Sequence, residues 1–543
     1  MESIQDEIRQ RYAVPDDVMA RCLAICHKFS LSADDFLSQW ESLLSAARSP
    51  FIAPTPQGLA DLEAYLRQKT ASEDAAAVAA AARIKDVKFS NVHSAAPRNN
   101  LPQTRVNFRP QFESEKFNYR YMHEKVSERS ETLDDRIDEF AELVKEAYGV
   151  DELGDPAAVT EEDVLIVGRI CAEPDTKLGE TTLQLESSRM MGSGARVSLK
   201  FNPGAKLRAP APGRSGLGLF PGAIVVLKGR NGGGGWFSVS EIWTPPPLGS
   251  STQSRPSSGV TTGASVMIAS GPYTFDADLE YKPFKALVRE AMAFRPSILI
   301  LLGPFVDANH PLIKLGDIDE TPAELFASRI TAPLRALFNN ASFPSVFVIP
   351  SVRDMISDHA AFPQSAFDTS VDPNFAKTLI YLPNPSMISV SGITLAASSV
   401  DVLFHIKKEE YFKRAEDVDA DPAGGAGATA ERNLKDPMGL LCRHILEQRS
   451  FYPLFPVPQD LSSDVNLDIS HSDLLRLNEA PDILVLPSML KQFYKIVDNT
   501  LVINPSFASK YNSAGTYAKV MFPAAYGERG LDKVVVDIVK LEV

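Results

Sequence analysis

Four short apolar runs, each broken off by a Gly-Pro or Pro-Ser loop, constrain the fold of this chain more than any other feature. They read VMIA at 266–269, ILILL at 298–302, VFVIP at 346–350 and DILVL at 482–486. Each is too short for a buried helix and apolar on successive residues, the pattern of a strand covered on both faces. Helix-like stretches at 281–294 and 323–338 lie between them. Residues 263–543 are therefore predicted as an α/β domain in which a sheet is layered with helices.

The order of these strand-to-loop transitions resembles that of calcineurin-like, binuclear-metal phosphoesterases. Those enzymes carry Asp, His and Asn ligands on such loops, as D-x-H, G-D-x-x-D, G-N-H-[DE], a lone His and G-H-x-H. Two cations must grip both the phosphate and an activated water, and oxygen and imidazole donors suit them. Here the first loop opens with Ser270-Gly271-Pro272-Tyr273, which holds neither the Asp nor the His expected there. In the second, Pro304 replaces the first Asp and only Asp307 survives. In the third, Val352 replaces the Asn ligand and Arg353 the catalytic His, leaving Asp354. In the last, Ser488 and Leu490 stand where two imidazoles belong. The resemblance implies an inactivated phosphodiesterase sandwich, with no catalytic residue, no metal centre and no cofactor. Asp307 and Asp354 alone cannot make a paired site.

The loops SGPYTFD (270–276), LLGPFVDANHP (301–311) and VIPSVRD (348–354), with RSFYPLFP (449–456) and LPSML (486–490), are similar to those of the B-subunits of DNA polymerase alpha. The resemblance covers most of the chain. It implies a non-catalytic scaffold subunit of polymerase alpha–primase that binds the C-terminal domain of the catalytic subunit and supports initiation of DNA replication. Primase subunits reached through the complex, replication factors recruited by an N-terminal helical domain, and a nuclear location follow from the same resemblance. The B-subunits of polymerases delta and epsilon share the two-domain body and stand as alternatives.

Composition sets outer bounds. Fifty-five Lys and Arg face 69 Asp and Glu, a net charge of −14, which disfavours a generic nucleic-acid coat. Cys22, Cys26, Cys171 and Cys442 lie far apart except for one C-x-x-x-C pair on a predicted helix. That is no zinc spacing and suits buried thiols in a reducing compartment. No apolar run reaches the length of a membrane span and the N-terminus lacks a signal core, so a soluble, intracellular chain without a membrane partner is expected.

Along the chain, residues 1–70 read as a small helical domain, with Ile4, Ile8 and Tyr12, then Val18, Cys22 and Ile25, at helical spacing and an N-cap at 32–35. Residues 71–116, Ala-rich and then polar with scattered prolines, read as a flexible tether. A charged helical segment at 117–150 ends at Gly149 and leads into the body. Five short strands with Gly/Pro turns between 160 and 245 have the size and rhythm of an OB-type barrel. A Pro/Ser-rich linker at 246–262 and an acidic Gly/Ala-rich loop near 409–431 complete a multidomain α+β chain.

One segment could still carry binding. Between Ser187 and Ser240 there is no Asp or Glu, while Arg189, Arg196, Lys200, Lys206, Arg208, Arg214, Lys228 and Arg230 supply eight positive charges. Arg196, Lys200, Lys206 and Arg208 are the candidate contacts with a protein partner or nucleic acid. OB barrels bind single strands with such charge plus stacking aromatics, available by type as Phe201, Phe220, Trp236 and Phe237. Alternation would bury about half of those rings, so a protein contact is favoured and a weak DNA contact stays open. The glycine runs at 192–194 and 232–235 lack the Lys-Ser/Thr and helix start of a phosphate loop and read as hairpin turns. His310, His359, His405, His444 and His471 show no paired ligand spacing, and no serine sits in a nucleophile elbow. Outside the polymerase family, the alternatives are a stand-alone single-strand-binding OB protein and a divergent active phosphodiesterase.

Overall fold

In the computed structural model of the chain, the described residues are 15–29, 108–172, 176–208, 216–249, 265–338, 345–368, 379–390, 393–417, 436–522 and 534–543, with Phe36, Pro54, Leu59 and Leu62. They belong to two compact units, Met1–Pro102 and Gln103–Val543. In the first, α1 (Asp16–Phe29) buries Val18, Met19, Cys22, Ile25 and Cys26, the one-sided spacing of an amphipathic helix. Burial pushes the free thiols of Cys22 and Cys26 up to about 12 and about 11. The N-cap read at 32–35 and the tether read at 71–107 lie outside the described residues.

The second unit opens with β1 (Phe108–Pro110) and α2 (Val126–Tyr148), which ends at Gly149 in the left-handed region. Six strands follow: β2 (Val164–Cys171), β3 (Gln184–Glu186), β4 (Arg196–Arg208), β5 (Gly216–Leu219), β6 (Ile224–Arg230) and β7 (Trp236–Trp243). β4 pairs with β3, β3 with β2, β2 with β6, β6 with β7, and β7 in parallel with β4, so five strands close into a ring. Strict alternation along β4 sends Val197, Leu199 and Phe201 inward and leaves their neighbours in solvent. On the outside, Ile137, Phe140 and Val144 of α2 cover Leu165, Val167, Ile224 and Val226 of β2 and β6.

The rest of this unit is built on two six-stranded sheets. The strands are β8 (Ser265–Ser270), β9 (Ile298–Leu302), β10 (Ser345–Ile349), β11 (Leu379–Tyr381), β12 (Ser386–Val390), β13 (Ile393–Ala397), β14 (Tyr411–Arg414), β15 (Glu416–Asp417), β16 (Ile483–Val485), β17 (Phe493–Val497), β18 (Thr500–Asn504), β19 (Ser509–Lys510), β20 (Ser513–Ala514), β21 (Thr516–Met521) and β22 (Val535–Lys540). One sheet runs β11-β10-β9-β8-β21-β22 and is parallel from β11 to β8. The other runs β1-β12-β13-β16-β18-β17. Their facing sides share a core that includes Ile268, Ile300 and Phe347 from the first and Leu395, Ile483 and Ile503 from the second. The first sheet's outer side carries α3 (Lys282–Phe294) and the helical run at 322–338. The second sheet's outer side meets the strand ring, together with α4 (Val402–Glu409) and α5 (Pro437–Glu447).

Several expected boundaries shift. The tether read as reaching residue 116 ends at β1, which pairs with β12, Phe108 opposite Val390. Phe108 meets the buried ring of Phe347 edge-on at 5.2 Å. Pro110 made this segment read as linker, but an outer strand tolerates proline because it needs hydrogen bonds on one side only. The helix read from 117 begins at Val126; before it, the hydroxyls of Tyr119 and Tyr121 donate to the carbonyls of Pro363 (2.6 Å) and Asp358 (3.2 Å). The linker read from 246 is docked at its start, where the Pro246 carbonyl accepts from Arg449 at 3.0 Å and that of Gly249 from the Ala480 amide at 2.9 Å. The loop read at 409–431 begins with β14 and β15, which pair with β5 and β4. Strands of two and four residues carry no period that a sequence can reveal. Residues 250–262 and 418–431 lie outside the described residues.

Candidate functional site

The loops that leave β8, β9, β10 and β16 hold every position read as a former metal ligand. Ser270, the last residue of β8, is buried, its hydroxyl 3.4 Å from the Gly303 carbonyl. Three residues on, buried Tyr273 donates to the carbonyls of Leu302 (2.8 Å) and Ala269 (3.1 Å). Gly271 sits against the Pro304 carbonyl and Gly303 against the Asp354 carboxylate, so closely that a Cβ on either would collide. These two loops pack directly on each other.

The two surviving carboxylates are spoken for. Asp354 is buried and accepts backbone N–H bonds from Phe305, from Val306 at 2.9 Å and from Ser351 at 2.9 Å. Burial pushes it up to about 7, against the downward pull of those three donors. Asp307 accepts from the Nε of Arg353 at 3.0 Å and again from a terminal guanidinium nitrogen. Burial works against the Arg353 cation, Asp307 outweighs it, and the guanidinium is held above its ordinary value. A second carboxylate, Asp464, lies 3.9 Å from Arg353 and accepts from the Asn309 side chain at 3.3 Å. A bidentate cation thus sits on Asp307, one of the two carboxylates read as surviving ligands.

The final loop is tied down in the same manner. Ser488 is buried and its amide donates to Asn504 Oδ1 at 2.9 Å, while its hydroxyl accepts from the Leu490 amide at 3.2 Å. Asp401 accepts from the amides of Met489 (2.7 Å) and Phe404 (3.0 Å), and burial raises it to about 6. Val352 and Leu490 pack half-buried against the core beneath the strand ring. Among the described residues, no group of three or more His, Cys, Asp or Glu gathers as a metal site. Sequence reading missed Asp401, whose only signal was its place before the apolar start of a helix. Nothing in the sequence pointed to Asp464.

The basic candidates share one strand. Arg196, Lys200, Lys206 and Arg208 all project outward from β4. Lys200 lies over the indole of Trp236 at 3.4 Å and Arg208 over that of Trp243 at 4.8 Å. Arg196 is 3.6 Å from Glu186, and Arg208 is 4.0 Å from Glu241. Of the aromatics offered by type, Phe201, Phe220 and Phe237 are buried and only Trp236 is exposed. Arg189 pairs instead with Asp134 on α2, and Arg214 lies outside the described residues.

Comparison with known proteins bears on both features. The family of DNA polymerase alpha/epsilon B-subunits matches residues 266–495, and that of the OB domain of the DNA polymerase alpha B-subunit matches residues 130–245. The DNA polymerase alpha B-subunit of Schizosaccharomyces pombe is 37% identical over 437 residues, covering 77% of this chain and 70% of that protein. Its counterpart in Saccharomyces cerevisiae is 28% identical, covering 76% of this chain and 62% of its own length. That of Rattus norvegicus is 25% identical, covering 74% and 62%.

Proposed function

Because the chain belongs to the family of DNA polymerase alpha B-subunits, we propose that it is a non-catalytic accessory subunit of the polymerase alpha–primase assembly. On this reading the strand ring is an OB barrel and the two-sheet body an inactivated phosphodiesterase-like sandwich. Together they hold the C-terminal domain of the catalytic subunit in the nucleus, supporting initiation of DNA replication, and primase is reached through that complex. The Met1–Pro102 unit recruits other replication factors. The observation that carries the non-catalytic half of the reading is the Arg353 guanidinium seated on Asp307. In binuclear phosphoesterases a metal lowers the pKa of a bound water, and an arginine in that place can neutralise charge but cannot ionise water. Among the replicative polymerases, alpha is favoured over delta or epsilon by the match of the OB segment.

No turnover of a generic phosphodiester is expected from the purified chain with manganese added, and metal analysis should find no stoichiometric ion. Two bound ions per chain, with turnover lost on substituting Asp307, would overturn the reading. Removing residues 1–102 should leave affinity for the catalytic subunit's C-terminal domain within about twofold in a pull-down titration, since a segment of tether composition transmits no rigid contacts. The cut must spare β1, which is part of the sheet. A folded truncation that no longer captures the polymerase domain would sink this division of labour.

A further inference from the structure

The outside of the strand ring is covered unevenly. α2 shields β2 and β6, whereas the outward row of β4 stands in solvent. Cross-strand register extends that row. Lys200 lies opposite Ser238 of β7, and Ser238 opposite Arg230 of β6, so the two cations end one row across three strands, roughly 10 Å between their Cα atoms. Ser198 lies opposite Trp236, whose ring Lys200 caps, and Arg196 is the next outward residue along β4. Ser238 donates to Asn202 Oδ1 at 2.7 Å. Arg196, Lys200 and Arg230 therefore share one outward face of the ring, Lys200 capping the indole of Trp236 and serines lying between the three in register. Glu186 borders the cluster, paired with Arg169 at 2.7 Å and 3.6 Å from Arg196; Asp163 accepts from Ser240 at 2.7 Å, and Arg230 donates to the Glu161 carbonyl at 3.3 Å.

The same strand already carries an acidic segment of its own chain. β15 pairs with β4 in parallel, Glu416 opposite Lys206 and Asp417 opposite Leu207. The far end of β4 has its cations facing outward, with β3 beside Arg196–Ser198 and β7 beside Ser198–Phe201.

We infer that Arg196, Lys200, Arg230 and Trp236 form a docking face for an extended Asp/Glu-rich segment of a partner protein, held by side-chain ion pairs. This deepens the accessory-subunit reading and rests on it only for the existence of a partner. A peptide fits better than a nucleic-acid strand because base stacking needs a bare aromatic face. The Trp236 ring has Lys200 over it and Gly234 against it, and the other candidate rings of the segment are buried. Carboxylates need only the charge and the N–H donors, and arginine and lysine supply both.

The test is fluorescence anisotropy of the full chain with a labelled oligoglutamate peptide and an oligothymidylate of matched length, each at low and high salt. Oligoglutamate should bind with the higher affinity, and the Arg196→Glu, Lys200→Glu, Arg230→Glu triple variant should bind it about tenfold more weakly, the sum of three exposed charge pairs. The corresponding glutamine variant, milder toward folding, should show part of the same loss. Tighter binding of oligothymidylate, or peptide affinity unchanged in both variants, overturns the inference. Co-purification of the wild-type chain with the polymerase catalytic subunit tests the accessory reading separately, since it does not depend on these three residues.

Discussion

Replacing Asp354 with alanine is expected to lower the unfolding free energy by about 3–4 kcal/mol, among the largest effects a single substitution produces. The carboxylate accepts N–H bonds from Phe305 and Val306 in the loop after β9 and from Ser351 in the loop after β10. All three bonds are buried, and alanine would leave three donors without water or protein to receive them. The substitution also empties the space that Gly303 leaves for the carboxylate. Urea denaturation of wild type and variant measures the difference, and a loss below about 1 kcal/mol would show that the loops do not depend on this staple.

The sign of the pH dependence follows from the same burial. Asp354 is raised from 3.8 to about 7 in the folded chain, so folding takes up a proton there. Its contribution is full below about pH 4 and is lost as the pH rises through about 7. Asp354→Asn cannot titrate, and its amide turns a donor toward backbone donors. The variant should therefore be less stable throughout, with the largest deficit at low pH and a flatter slope than wild type between pH 4 and 7. Parallel curves for the two proteins would show that Asp354 is not the titrating group.

Much of this arrangement can be read from residues alone, and the reasons it can are the reasons the rest cannot. A strand buried on both faces must be apolar at every position, so ILILL at 298–302 predicts β9 to the residue. On the phosphodiesterase reading, the loops after β9 and β10 are legible because a lost ligand is a change of chemical type: proline for aspartate at 304, arginine for histidine at 353. That Arg353 then reaches Asp307, 46 positions away, depends on how two loops meet in space, and no local pattern encodes it. Nor does Gln448, in a polar stretch after a helix, advertise that it will complete a strand 224 positions earlier. The aromatic residues of the strand ring were legible by type but not by direction; alternation settles the direction only once the register of β4 and β7 is fixed.

Gln448→Ala is expected to divide the thermal unfolding of the Gln103–Val543 unit into two steps. The Gln448 side chain copies a strand: its Oε1 accepts from the Ile224 amide at 2.9 Å and its Nε2 donates to the Ile224 carbonyl at 2.9 Å, both buried. Its own carbonyl accepts from Arg136 of α2, which also donates to the Arg449 carbonyl at 3.2 Å. Burial depresses Arg136 to about 10, the nearby Arg476 and Arg449 push the same way, and Glu139 opposes them. α2, the strand ring and the segment after α5 thus converge on one residue. Alanine at 448 leaves the Ile224 amide and carbonyl unpaired, a cost of about 2–3 kcal/mol falling at the junction and not within either body. The ring and the second sheet share one apolar core, whereas the α2 layer on β2 and β6 and the layer between the two sheets are separate from it, so the lost stability appears as weakened coupling, with the ring melting ahead of the two-sheet body. Arg136→Met should give the same split, and because both changes act on one network, the double variant should cost less than the two single losses together. Scanning calorimetry reads the outcome directly. A single transition at the wild-type temperature for Gln448→Ala would mean that the apolar contacts of α4 and α5 hold the bodies together without it.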